Sequence, residues 1–152
     1  MPSIVSYRKV STPYTTIELR LPDAAGIDDA ARCTELATLD GVTYVAVPDG
    51  VTLPDQPTEI AASVTTVTLD PVLRERIKAE SPHCQLISQR MVDRIRATYS
   101  IDDEMYYARI GVGAANGLYV PTSDELQELT VFGEFVEAVR QWGRDERAKL
   151  GL

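Results

Sequence analysis

Between Thr15 and Leu21 the chain alternates, with Ile17, Leu19 and Leu21 on one side and Glu18 and Arg20 on the other. A period of two predicts a half-buried strand. Ile4 to Val10 predicts a second, weaker strand, joined to the first through Ser11-Thr12-Pro13-Tyr14. The period then lengthens. Ile27, Ala31, Cys33, Leu36 and Leu39 fall on a rough helical stripe, and Gly41 follows as a stop. Asp28 and Asp29 suit the positive amino end of that helix from Ile27 to Leu39. Val42 to Val47 is apolar on both faces, which predicts an interior strand. Together these elements make a small β-β-α-β unit over residues 1–53.

The turn-rich stretch Pro48 to Pro57 reads as a hinge or linker. Val64 to Leu69 has strong β propensity but poor alternation, so residues 54–70 are expected to form a linker carrying a short edge strand. From residue 71 to 152 the pattern is helical. Asp70-Pro71 places a capping residue before a first-turn proline, with Leu73 and Ile77 on one face. Ser81-Pro82 repeats that signal ahead of Cys84, Ile87, Met91 and Ile95. Ser100 and Asp103 form a capping-box start before Met105, Ala108 and Ile110, and Thr122 with Glu125 forms another. The last helix is predicted from about Ser123 to Lys149, with Leu129, Phe132, Val136 and Val139 on one side. The fold class is therefore α+β, a small N-terminal β-β-α-β unit followed by a C-terminal helical module.

Charge narrows the choice of partners. The 152 residues carry 15 basic and 23 acidic side chains, a net charge of −8. Wrapping nucleic acid requires Lys and Arg to displace counterions, and a polybasic membrane anchor requires them too. Neither partner is expected. No apolar run approaches the length of a bilayer span, and the first residues lack the apolar core of a signal peptide. Folding in a reducing cytoplasm is the expectation, with Cys33 and Cys84 as buried free thiols.

Chemistry is sparse. His83 is the only histidine, and Cys84 beside it points elsewhere on a helix, so no nucleophile–base pair is expected of these two. Metal-ligand spacings are missing, and the Asp102-Asp103-Glu104 cluster is accounted for by its helix start. Gly111 to Gly117 has a weak likeness to a phosphate loop, but it follows a helix instead of a strand; a helix stop and a flexible connection are expected there. No cofactor, metal or catalytic residue is assigned. What stands out is aromatic: Tyr106, Tyr107, Phe132, Phe135 and Trp142, more than a module of this size buries around one core. These five are the candidate partner-binding residues, with Gly143 beside Trp142 leaving room for close approach.

Three segments carry a resemblance: SPHCQLISQR (Ser81 to Arg90), IRATYSIDDE (Ile95 to Glu104) and QWGRDERAKLGL (Gln141 to Leu152). With these, the second half of the chain from Leu53-Pro54 onward resembles phage tail-fibre assembly proteins and small tail-associated proteins. The resemblance implies a non-enzymatic protein that binds the fibre polypeptide, itself a trimer, and helps it register or attach. Other tail or baseplate proteins are further implied partners, and a permanent adaptor in the tail or baseplate is the alternative role. Such a protein would act in the host cytoplasm during assembly, with its retention in the virion tail left open. The glycine-rich Gly111 to Pro121 segment departs from the charged spacer usual in that family.

Overall fold

The structure is a computed structural model and describes residues 1–23 and 32–152. By their contacts these divide into one unit of Met1–Leu86 with Glu146–Leu152 and a second of Ile87–Asp145. The expected boundary lay at residues 54–70; the contacts place the division further along the chain. The composition is mixed, strands first and helices after, so the fold class is α+β.

The first unit is built on an antiparallel sheet. Strands β1 (Ser3–Tyr7), β4 (Thr34–Leu39), β5 (Val42–Val47) and β6 (Thr65–Val67) lie in the order β4-β5-β1-β6. Two short strands, β2 (Val10–Ser11) and β3 (Thr16–Ile17), pair separately as a hairpin. The alternating stretch Thr15 to Leu21 thus keeps strand pairing only at its start, although Leu19 still points into the core. β5 lies between two neighbours, as a run that is apolar on both faces requires.

The helix expected from Ile27 to Leu39 is corrected by this sheet. Thr34–Leu39 is strand β4, paired with β5 in a register that closes at Leu39↔Val42; Ile27 to Ala31 lie outside the described residues. The loop is the pair Asp40-Gly41, with φ of 52° and 77°. Two positive φ angles in a two-residue loop are what a tight hairpin demands of its Asp-Gly pair. The β-β-α-β order therefore gives way, over residues 34–47, to a β-hairpin.

Both faces of the sheet are covered. On one, Ile4, Leu36, Leu39 and Ala46 pack with Ile77 of α2 (Pro71–Glu80), Cys84 of α3 (Pro82–Thr98) and Leu152. On the other, Val5, Tyr7, Val45 and Val47 pack with Leu19 and with Ile60 of the short α1 (Thr58–Ala61). Pro48 to Pro57 belongs to this second face: Val51 and Leu53 pack against it, and the Gln56 side chain bonds both the N–H and the carbonyl of Arg20. Cys84 is buried and Cys33 half-buried, both as free thiols.

The second unit is made from the outer part of α3, all of α4 (Ile101–Ala115) and most of α5 (Ser123–Lys149). Three helix starts follow their caps, whereas at the start of α3 the Ser81 hydroxyl is buried without a hydrogen-bond partner. Asp70 accepts from the Leu73 N–H, and Ser100 and Asp103 bond each other's backbone N–H groups in a closed capping box. Thr122 and Glu125 do the same ahead of α5. One expectation moves: α4 does not stop at Gly111 but runs through it to Ala115, and the chain turns at Gly117, where φ is +67°.

Candidate protein-binding surface

The second unit buries little. Of its residues only Ile87, Ile110, Val139 and Gly143 are buried. Its interior is instead an aromatic cluster in which the side chains keep part of their surface in water.

Tyr99, in the two-residue break between α3 and α4, stands at the centre of this cluster. Its ring meets Tyr107, Phe132 and Phe135 edge-on, at centroid distances of 6.0, 5.0 and 5.4 Å. Tyr107 stacks on Phe132 at 4.8 Å, which joins α4 to α5, and Tyr106 meets Tyr107 at 5.4 Å. Edge-on and offset pairs place the positive ring rim against a negative ring face, worth about 0.5–1.5 kcal/mol each beyond their buried area. Burial pushes the Tyr107 hydroxyl up from its ordinary range. An Arg96–Glu104 ion pair adds a polar tie between α3 and α4.

Trp142 lies apart from this cluster. It is half-buried, with the Arg94 guanidinium 3.7 Å above the ring centroid. Because Arg94 is itself exposed, a stack of this kind contributes roughly 0.5–1 kcal/mol. Beside it, Gly143 does permit close approach, and the approaching group is internal. A Cβ at Gly143 would stand 2.3 Å from Met91 Sδ, so the missing side chain is what lets α3 and α5 close on each other here.

Of the five candidate aromatics, then, Tyr107, Phe132 and Phe135 meet in one internal cluster with Tyr99, and Trp142 packs against Arg94. Tyr106 is the one exposed at the cluster's edge. Tyr99 was missed as a member. Tyr99 lies between the helices, outside both helical patterns, so the periodicity of neither helix picks it out.

The exposed apolar surface lies next to Tyr106. Ile101, Met105 and Val112 on α4 are 61%, 68% and 61% exposed, and Leu118 and Val120 in the α4–α5 connection are 84% and 88% exposed. A groove of about 450 Å³ runs between α4 and that connection, bounded by Tyr106, Ile110, Leu118, Tyr119 and Glu125. The Glu125 carboxylate organises its polar end, accepting from the Tyr119 hydroxyl at 2.8 Å and from the Thr122 N–H at 2.8 Å. Those bonds hold the Glu125 carboxyl below its ordinary range, the backbone bond from Thr122 foremost. The bond it donates to Glu125 holds the Tyr119 hydroxyl above its own ordinary range. Contiguous apolar surface rimmed by polar groups is a mark of a protein contact.

The groups considered for chemistry are dispersed. His83 is exposed, while Cys84 next to it is buried in the sheet core. Among the described residues, no three His, Cys, Asp or Glu side chains are grouped to hold a metal ion, and no helix is long and apolar enough to cross a membrane. No protein-family model matches the chain, and searches of curated proteins and of solved structures return no match.

Proposed function

We propose that this chain is a non-enzymatic binding protein of phage tail assembly that engages the tail-fibre polypeptide. The resemblance in Ser81–Glu104 and Gln141–Leu152 supplies the identity of the partner. The observation that supports a binding role is the apolar groove of Tyr106, Leu118 and Tyr119, with exposed Val120 next in the chain, carried on a unit with almost no buried aliphatic core. Fibre chains expose unpaired strand edges and apolar ends before three of them close, and those surfaces associate wrongly if left bare. The groove covers such an apolar segment until the chains find register. Edge strand β6 offers a second mode, addition of a fibre strand, over its three residues.

Co-expression with the fibre chain of the same phage is the test. This chain is expected to raise the yield of soluble, SDS-resistant fibre trimer, and a Leu118→Asp/Val120→Asp variant to lose that effect while folding normally, since both side chains face water. Fibre that trimerises equally well without the chain overturns the chaperone role. Mass spectrometry of purified particles then separates a protein that leaves from an adaptor that stays: a stoichiometric amount in the particle assigns the adaptor role.

A further inference from the structure

A second apolar stripe lies on α4, away from its packed side. Tyr107, Ile110 and Ala114 face the unit's interior side, with Ile110 buried. Ile101, Met105, Ala108, Val112 and Ala115 follow each other at steps of four, three, four and three residues, and every one of them is exposed. That spacing keeps an apolar seam on one face of a helix for the whole length of α4, about 22 Å at the helical rise. A helix packed on one face needs only one such stripe. This one has two, on opposite sides, and the outer one is bare.

The geometry points to a second copy of this chain as the occupant, with the two α4 helices antiparallel across a twofold axis near Tyr106 and Tyr107. The inference goes beyond the fibre-binding reading and does not depend on it. In that arrangement the layers are Ile101 against Val112 of the second copy and Met105 against its Ala108, each made twice. Large meets small in the two central layers, which fills them. A parallel pair would instead place Ala108 against its own copy, leaving a gap, and Met105 against Met105. The flanks give the same answer. Asp102 and Arg109 border the seam on one side, and antiparallel pairing sets Asp102 beside Arg109 of the second copy, twice over. Parallel pairing would crowd the Asp102-Asp103-Glu104 clusters of both helices together, and Glu104 is already held by Arg96. The helix dipoles also oppose each other favourably only when antiparallel. Four short layers make a weak contact, one that forms as concentration rises.

Sedimentation velocity on the full chain, from micromolar to near-millimolar concentration, tests this. A monomer–dimer equilibrium is expected. Ala108→Glu, at an exposed position, is expected to leave the thermal melt intact and to abolish dimerisation. Asp102→Arg alone is expected to weaken dimerisation by about tenfold or more, since it sets like charges across the seam. Asp102→Arg combined with Arg109→Asp is expected to restore it, because the swapped pair meets again. A chain that stays monomeric throughout overturns the proposal, as does a dimer indifferent to Ala108→Glu. If the dimer forms but Asp102→Arg has no effect, antiparallel α4 pairing is excluded. A monomer whose capture of fibre protein is lost in Ala108→Glu would assign the stripe to that partner instead.

Discussion

At the scale of single residues, the two glycines within α5 have opposite roles although the sequence treats them alike. Gly133 has no neighbour within reach of an added Cβ, whereas a Cβ at Gly143 collides with the Met91 side chain. Glycine in a helix interior costs about 1 kcal/mol relative to alanine. Gly133→Ala is therefore expected to stabilise the protein by up to that amount. Gly143→Ala gains the same backbone term but must displace Met91, and overpacking of this kind costs about 1–3 kcal/mol. The expected net result is a lower melting temperature. In a Met91→Ala background the same substitution should become stabilising, since the obstacle is gone; a double-mutant cycle from thermal melts reads the coupling directly. The sequence does mark the place, through Trp142 next to Gly143, but not whether the approaching group comes from inside or outside. The aromatic stripe was legible in the same partial way. Phe132 and Phe135 repeat at helical spacing, but their partner Tyr99 sits in a helix break, where periodicity carries no information.

At the scale of elements, capping chemistry was the clearest signal in the chain. Asp70-Pro71, Ser100 with Asp103 and Thr122 with Glu125 all start helices where local side-chain bonding to free N–H groups says they should. The segment Thr34–Leu39 was misread for an equally local reason. Cys33, Leu36 and Leu39 are three apart, which fits a helix, while the bulge between Glu35 and Ala37 breaks the alternation that would have announced a strand. The Asp40-Gly41 pair before a β-rich run was the available correction, since it is a strong hairpin signature. The two capping boxes also make a pH prediction. Asp103 is held below its ordinary range, chiefly by the Ser100 hydroxyl, and Glu125 is held below its own. A carboxyl with a depressed folded pKa adds stability above its unfolded pKa and loses it as pH falls through the folded one. Helix content by circular dichroism is thus expected to be flat at neutral pH and to melt at lower temperature on acidification through the carboxylate range. Ser100→Ala, which removes a cap worth about 1 kcal/mol, is expected to lower the melting temperature at neutral pH and to flatten that acid dependence. An acid response unchanged in this variant would show that the capping box does not set it.

At the scale of the whole molecule, the change to helical patterning at residue 71 and the division of contacts do not coincide, and packing explains why. Chain segments belong together by what they bury, and two stretches remote in sequence share the sheet core. Ile77 and Cys84 come to it from α2 and α3, and Leu150 and Leu152 from beyond α5. Pro48 to Pro57 has the composition of a linker, yet Val51, Leu53 and Gln56 tie it to the sheet. Cleavage requires exposed backbone with few such ties, so limited thermolysin digestion is expected to cut first near Leu118 and Val120 and to spare Pro48 to Pro57. Leu152 carries the stronger test. It is buried against Ile4, Leu36 and Ile77 on the sheet, and a Cβ at the preceding Gly151 (φ +76°) would already press on Ile4. Replacing a buried leucine with alanine removes its apolar transfer energy and leaves a cavity, at a cost of about 2–5 kcal/mol. Leu152→Ala is accordingly expected to lower stability by an amount in that range, measured by urea unfolding, and to expose the Cys84 thiol to labelling reagents before the global transition. A tail that merely trailed in solvent would show neither effect. The outcome also decides how a deletion of Asp124 to Leu152 should be read, because such a deletion strips two leucines from the sheet core along with Glu125 at the polar end of the groove. Point changes at Leu118 and Val120 separate loss of binding from loss of fold; the deletion cannot.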